Sequence, residues 1–291
     1  MSIEPVSGAL VPFAALLLGL VVGSFLNVVI LRLPRHLHAE LAGACAELRG
    51  EHAEPVQNRL FGLDFLITPA STCPHCGHAI RAWENIPIIS YLLLRGQCSN
   101  CHASIGLRYP LVEAVTGLLS LVVALHFGPQ SATAVALILV WGLIALTVID
   151  LDEQLLPDSL TLPLMWLGLL VNIDGMFTDL ASAVIGAAAG YLVLWVVFQV
   201  FRLITGREGM GYGDFKLLAV FGAFFGWQML PQVILLSSLI GAIIGITLVM
   251  VRGRDRQIPI PFGPYLALAG FVALLWGDDI NRAYLQLAGF A

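Results

Sequence analysis

The sequence predicts an all-α, polytopic membrane protein with about eight transmembrane helices and a small cytosolic loop domain between helices one and two. Three observations carry this. Of 291 residues, 58% are hydrophobic and 11% charged, with a mean hydropathy of +0.89, whereas soluble domains carry about 25% charged residues. Apolar stretches of spanning length recur along the chain. The basic residues gather in alternate loops. So little polar surface cannot cover a water-soluble globule, and a disordered chain would be poorer in apolar residues and richer in charge. The net charge of −5 argues against nucleic acid as the main partner, which favours a basic face.

A spanning helix needs roughly 20 mostly apolar residues. Residues 10–31, 180–201 and 233–251 meet that standard, and 132–149 is nearly as long and free of charge. Four further stretches are shorter or interrupted: 109–127 (holding Glu113), 160–173 (holding Pro163), 215–227 and 261–276. Short spans are tolerated where neighbours shield them; the sixth, 215–227, is the least certain to cross fully. The first stretch begins with Glu4 rather than a basic region and is too long for a cleaved leader, so a retained helix is expected.

Orientation follows from the bases. The loop 32–108 holds Arg32, Arg35, Arg49, Arg59, Arg81, Arg95 and Arg108. The loop after span five holds Arg202, Arg207 and Lys216, and the loop after span seven Arg252, Arg254 and Arg256. Of the 14 Lys and Arg only Arg282 falls on the other side. The bilayer is the surrounding partner, the basic side is the cytoplasm, and both termini are expected on the opposite side. The expected division is 1–31 as first helix, 32–108 as the cytosolic domain, and 109–291 as a seven-helix membrane domain. No internal repeat or low-complexity tract is evident.

Within the loop domain, Cys73-Pro-His-Cys76 and Cys98-Ser-Asn-Cys101 are separated by 21 residues. Two Cys-x-x-Cys knuckles at such a distance close a tetrahedral thiolate site around zinc. In a cytosolic loop thiols stay reduced, so metal is favoured over disulfides, with redox or incidental thiols as the alternative. Four ligands leave no open position, so the expected zinc is structural. His75, His78 and His102 could substitute for a ligand or lie beside it; Cys45 has no partner spacing and its role is open.

Ionisable groups at membrane depth suggest function. Asp150 ends the apolar run that begins at Trp141, and Asp214 opens span six in Gly209-Met-Gly-Tyr-Gly-Asp-Phe-Lys216. Both fall at cytosolic helix ends, so they can meet at one depth although 64 residues apart. Two carboxylates at one site cannot both ionise easily, so one holds a proton while its partner stays charged. That state supplies a base for water and an acid for a leaving amine. Gly209, Gly211 and Gly213 suit close backbone approach and positive φ; a tight turn with a capping aspartate is the plainer alternative. Asp158 follows Pro157, where it would cap span four. Asp152 and Glu153 are either solvated or, with Asp158, attract a basic peptide. Glu113 is either a buried hydrogen-bonding anchor or part of a polar pocket.

Taken together the motifs resemble those of the type IV prepilin peptidases, bifunctional leader peptidase/N-methyltransferases and membrane aspartic proteases of the Gly-x-Gly-Asp type. The resemblance rests on Gly23-Ser-Phe-Leu-Asn-Val-Val29 with Arg32-Leu-Pro34, both cysteine knuckles, Trp83-Glu-Asn-Ile-Pro87 and Arg108-Tyr-Pro-Leu-Val-Glu113. It continues through Ile149-Asp150, Leu156-Pro-Asp158, Gly209 to Asp214, and Pro261-Phe-Gly-Pro264. It implies that Asp150 and Asp214 are the catalytic pair and that Cys73, Cys76, Cys98 and Cys101 form the metal motif. It further implies cleavage of a basic leader from prepilins and type II secretion pseudopilins at the cytosolic face. Methylation of the new N-terminus by S-adenosylmethionine would follow, at residues the sequence does not reveal. Two other classes remain to be weighed: a transporter or proton relay using intramembrane acids, and a non-catalytic scaffold built on the zinc loop.

Overall fold

The computed structural model describes residues 4–50, 64–68, 70–207, 209–252 and 261–287. Ten α-helices are found among them: α1 (Glu4–Leu48), α2 (Asp64–Ile67), α3 (Ile89–Leu93), α4 (Arg108–Phe127), α5 (Ser131–Glu153), α6 (Asp158–Val171), α7 (Leu180–Thr205), α8 (Tyr212–Phe225), α9 (Leu230–Arg252) and α10 (Gly263–Leu287). Two isolated β-bridges, Thr72–Ala79 and Gln97–Ser104, are the only strand pairing among the described residues. The all-α architecture is as expected, each apolar stretch falling on a helix of its own. Among the described residues, five segments are long and apolar enough to cross a bilayer: Leu10–Leu48, Arg108–Phe127, Ser131–Glu153, Leu180–Thr205 and Trp227–Leu248. Helices α6 and α8, of 14 residues each, reach only about 21 Å against a hydrocarbon core of about 30 Å. The second half of α10 carries Asp278, Asp279 and Arg282.

The chain divides into two compact units, Met1–Thr133 and Ala134–Ala291. In the first, α1 packs antiparallel to α4. A Cβ on Gly19 would meet Ser120 and Gly117, and one on Gly23 would fall 2.8 Å from the Glu113 Cα. These glycines, four apart, let two backbones approach as small residues do in membrane helix pairs. Helix α1 does not stop where its apolar run ends. It continues over residues 32–48, built largely of good helix formers, and ends at Gly50 with φ of +72°. The stretch expected as the start of a loop is therefore helical, and exposed Cys45 lies on it.

In the second unit α8 is central. Asp214, Phe215 and residues 217–224 are all buried, the pattern of a helix apolar all round, and α6, α7, α9 and α10 pack against it. Shelter on all sides explains how so short an apolar helix is accommodated. Gly186 and Gly190 of α7 bring their helix onto the α8 backbone at Gly222 and Leu218. At the far end of α6, buried Asn172 donates to the Ala223 and Phe224 carbonyls at 2.8 and 2.9 Å and accepts from the Phe177 and Thr178 amides. Its side chain thus satisfies two of the carbonyls left open at the end of α8. Asn172→Ala removes four hydrogen bonds, two of them to buried carbonyls, and is expected to cost about 2–4 kcal/mol. Thermal unfolding in detergent checks this; an unchanged Tm would mean that water replaces the amide.

Candidate active site and metal centre

The C-terminal end of α5 and the N-terminal ends of α6, α8 and α10 meet at one end of the second unit. Helix α5 ends after Asp150, where Gln154 takes a left-handed turn with φ of +53° and donates its amide to the Asp150 carbonyl. Asp150, 5% exposed, accepts a hydrogen bond on Oδ2 from the Gly263 amide at 3.0 Å, at the first residue of α10. Asp214, 6% exposed, sits in the first turn of α8, close enough for the Asp150 charge to act on it. Two helix N-termini, each an electropositive end, therefore hold the two carboxylates.

Leu156 packs these pieces together. A Cβ on Gly213 would lie 2.6 Å from the Leu156 Cβ, and one on Gly263 would lie 2.5 Å from Asp150 Oδ2 and 3.3 Å from Leu156 Cδ1. Close approach is thus what Gly213 provides, and Gly209 likewise lies against the Phe201 ring at 2.9 Å. Positive φ is not involved: none of Gly209, Gly211 and Gly213 adopts it, contrary to expectation. Gly211 has φ of −85° and open space around it.

The neighbouring acids divide differently from the expectation. Pro157 occupies the cap position of α6, and Asp158 makes no cap bond. Its carboxylate instead pairs with Lys216 Nζ at 2.5 and 2.7 Å. Lys216, counted above as a loop base, thereby ties the first turn of α8 to that of α6. Asp152 and Glu153 are exposed. The Gly263 amide had no sequence signal beyond a glycine between two prolines.

In the first unit, Glu113 is buried and accepts from the Ile88 amide at 2.8 Å. It is an anchor, fastening the connection before α3 to the membrane helices. The four cysteine sulfurs lie within 4.8 Å of one another and can hold a metal ion. Cys73 and Cys101 approach to 3.8 Å, Cys76 and Cys98 to 4.0 Å. The two knuckles are one motif used twice. The Cys73 amide donates to the His78 carbonyl and that of Cys98 to the Ala103 carbonyl, and each knuckle turns through a left-handed residue, Gly77 or His102. In sequence the repeat shows only as the paired Cys-x-x-Cys spacing. The His78 backbone amide and the Asn100 side chain pull the Cys76 thiol down to about 7, while burial and the neighbouring thiols push that of Cys101 up to about 11. His75 and His102 are exposed, and no histidine joins the cluster.

Two family models cover most of the chain. Residues 17–127 match the bacterial peptidase A24 N-terminal domain, and residues 137–246 match the type IV leader peptidase family. The chain belongs to the type IV leader peptidase family. Within that family it is 57% identical, over 94% of its length and 93% of the relative's, to a prepilin leader peptidase/N-methyltransferase of Pseudomonas aeruginosa. Proteins of the same name from Aeromonas hydrophila (56% identity, 92% of each chain) and Burkholderia pseudomallei (49%, 94% of this chain and 87% of the relative) are also similar. No solved structure matches. As a leader peptidase with several membrane-length helices, the protein is a multi-pass inner-membrane enzyme.

Proposed function

We propose that this chain removes the basic leader from prepilins and pseudopilins and then methylates the new N-terminus. The observation that carries the peptidase reading is the pair of buried carboxylates, Asp150 and Asp214, at adjoining helix ends in a leader-peptidase chain. In the proposed mechanism the pair shares one proton. The charged member draws a proton from water as it attacks the scissile carbonyl, and the protonated member delivers its proton to the leaving amide nitrogen. The Gly263 amide favours the charged state on Asp150, which makes Asp150 the base and Asp214 the acid. S-adenosylmethionine would supply an electrophilic methyl group to the freed amine. A transporter would need acids strung along a path through the bilayer, whereas this pair lies at one helix end.

The proposed orientation places both termini in the periplasm and the aspartates and residues 32–108 at the cytosolic face, with 109–291 as the membrane peptidase domain. Incubating the purified protein with a prepilin-like substrate and the methyl donor tests the whole reading. Mass spectrometry should find the leader removed and one methyl added, and an intact substrate would refute it.

Zinc is the proposed ion at Cys73, Cys76, Cys98 and Cys101. A tetrahedral zinc tetrathiolate with bonds of about 2.3 Å has sulfur–sulfur edges of about 3.8 Å, close to the 3.8 and 4.0 Å present. With no open position its part would be structural, folding a segment with little core of its own. Binding of a structural zinc is worth on the order of 10 kcal/mol. A Cys73→Ser/Cys98→Ser variant is therefore expected to lose its single zinc and become protease-sensitive over residues 70–107. Elemental analysis with limited proteolysis checks this; a metal-free but resistant segment would contradict it.

A further inference from the structure

Residues 82–94 carry chemistry that neither the aspartates nor the cysteines use. Their large apolar side chains point outward: Trp83 is 51% exposed, Ile89 55%, Leu92 67% and Leu93 74%. In α3, Ile89, Leu92 and Leu93 stand at i, i+3 and i+4, which is one helix face, and no residue of α3 is buried. The only acid, Glu84, turns back to accept the Arg81 amide at 2.8 Å and lies 3.5 Å from His78. Exposed Arg81 and Arg95 bracket the segment. In water such a face would be costly, since burying one large apolar side chain is worth about 1.5–3 kcal/mol.

The depth of this face is fixed by hydrogen bonds to two membrane-length helices. The Ile88 amide bonds Glu113, five residues past Arg108 in α4, a rise of about 7.5 Å. Asn85 approaches Ser24 of α1 to 3.5 Å, and Asn27 of α1 donates to the Tyr109 carbonyl at 3.2 Å. The segment therefore sits beside the first two turns of α4. Interfacial helices bury their apolar face about 5–10 Å into the boundary between headgroups and acyl chains, which is that level. A protein partner would bring its own polar groups to Arg81 and Arg95, whereas a face held beside the first turns of a membrane-length helix stands at the level of the lipid boundary.

We infer that residues 82–94 lie in the headgroup–acyl boundary of the bilayer. Trp83, Ile89, Leu92 and Leu93 enter the acyl layer while Arg81 and Arg95 meet lipid phosphates. The cysteine cluster is thus moored to the membrane surface by its own chain, at a place independent of the aspartate chemistry. The test uses the full chain in nanodiscs of phosphatidylethanolamine and phosphatidylglycerol, with p-benzoylphenylalanine replacing Leu93. The same label at Phe13, 57% exposed on α1, is the positive control, and at exposed His75 the negative one. Lipid adducts at position 93 should match those at 13 and exceed those at 75 by about tenfold. A yield no higher than at 75, or adducts to this chain or a second copy, would overturn the inference. In a second arm, Arg81→Gln/Arg95→Gln, two exposed positions, should lower the yield at 93 but not at 13; equal yields would refute the arginine–phosphate contacts.

Discussion

Asp150→Asn and Asp214→Asn each lower leader cleavage by about 10²–10⁴-fold, the range that positioned acid–base groups supply. Asparagine keeps the shape of the side chain, and at position 150 its carbonyl oxygen can still accept the Gly263 amide. The fold should survive, so the loss reports the proton that asparagine cannot exchange. Methylation of a peptide whose leader is already gone should persist in both variants, because transfer to an amine needs a neutral nucleophile and alignment rather than a carboxylate pair. Mass spectrometry of the two substrates separates the activities. Cleavage surviving in both variants would reject the aspartate mechanism, whatever happened to methylation.

The second large effect is expected from one methyl group. In Gly263→Ala the added carbon would stand 2.5 Å from Asp150 Oδ2, nearer than any relaxed contact, and the carboxylate must move. Position 263 has no positive φ, so alanine strains no backbone there and the chain should fold. Displacing a reacting group by about 1 Å costs on the order of 10²-fold. The expected result is a large fall in cleavage rate at nearly unchanged Tm, with Gly211→Ala, which meets open space, close to the parent. Equal rates in the two variants would show that the Gly263 contact does not orient Asp150.

Charge placement made much of this protein legible before any coordinates. In so apolar a chain each acid at a helix end is conspicuous, and the periodic spans brought Asp150 and Asp214 to one level by counting alone. Four cysteines in two matched pairs were equally plain. What stayed hidden depends on backbone atoms and on the far partner of a pair. An amide donor such as that of Gly263 leaves no mark in a side-chain sequence. Asp158 looked like a cap because it follows a proline, yet the deciding partner, Lys216, lies 58 residues on. Helix α1 outran its apolar stretch because hydropathy registers where lipid ends, whereas the helix runs on through Pro34 and Gly43 and stops at Leu48, just before left-handed Gly50.

The contact between Asp150 and Gly263 spans 113 residues of sequence, and this orders events during biosynthesis. A ribosome-bound chain exposes both aspartates long before it has made the amide that orients the first of them. Until α10 emerges and packs, Asp150 has the acid but not its bearing. On the proposed mechanism, the orienting contact for the Asp150 base therefore arrives with α10, after both carboxylates are already in the membrane.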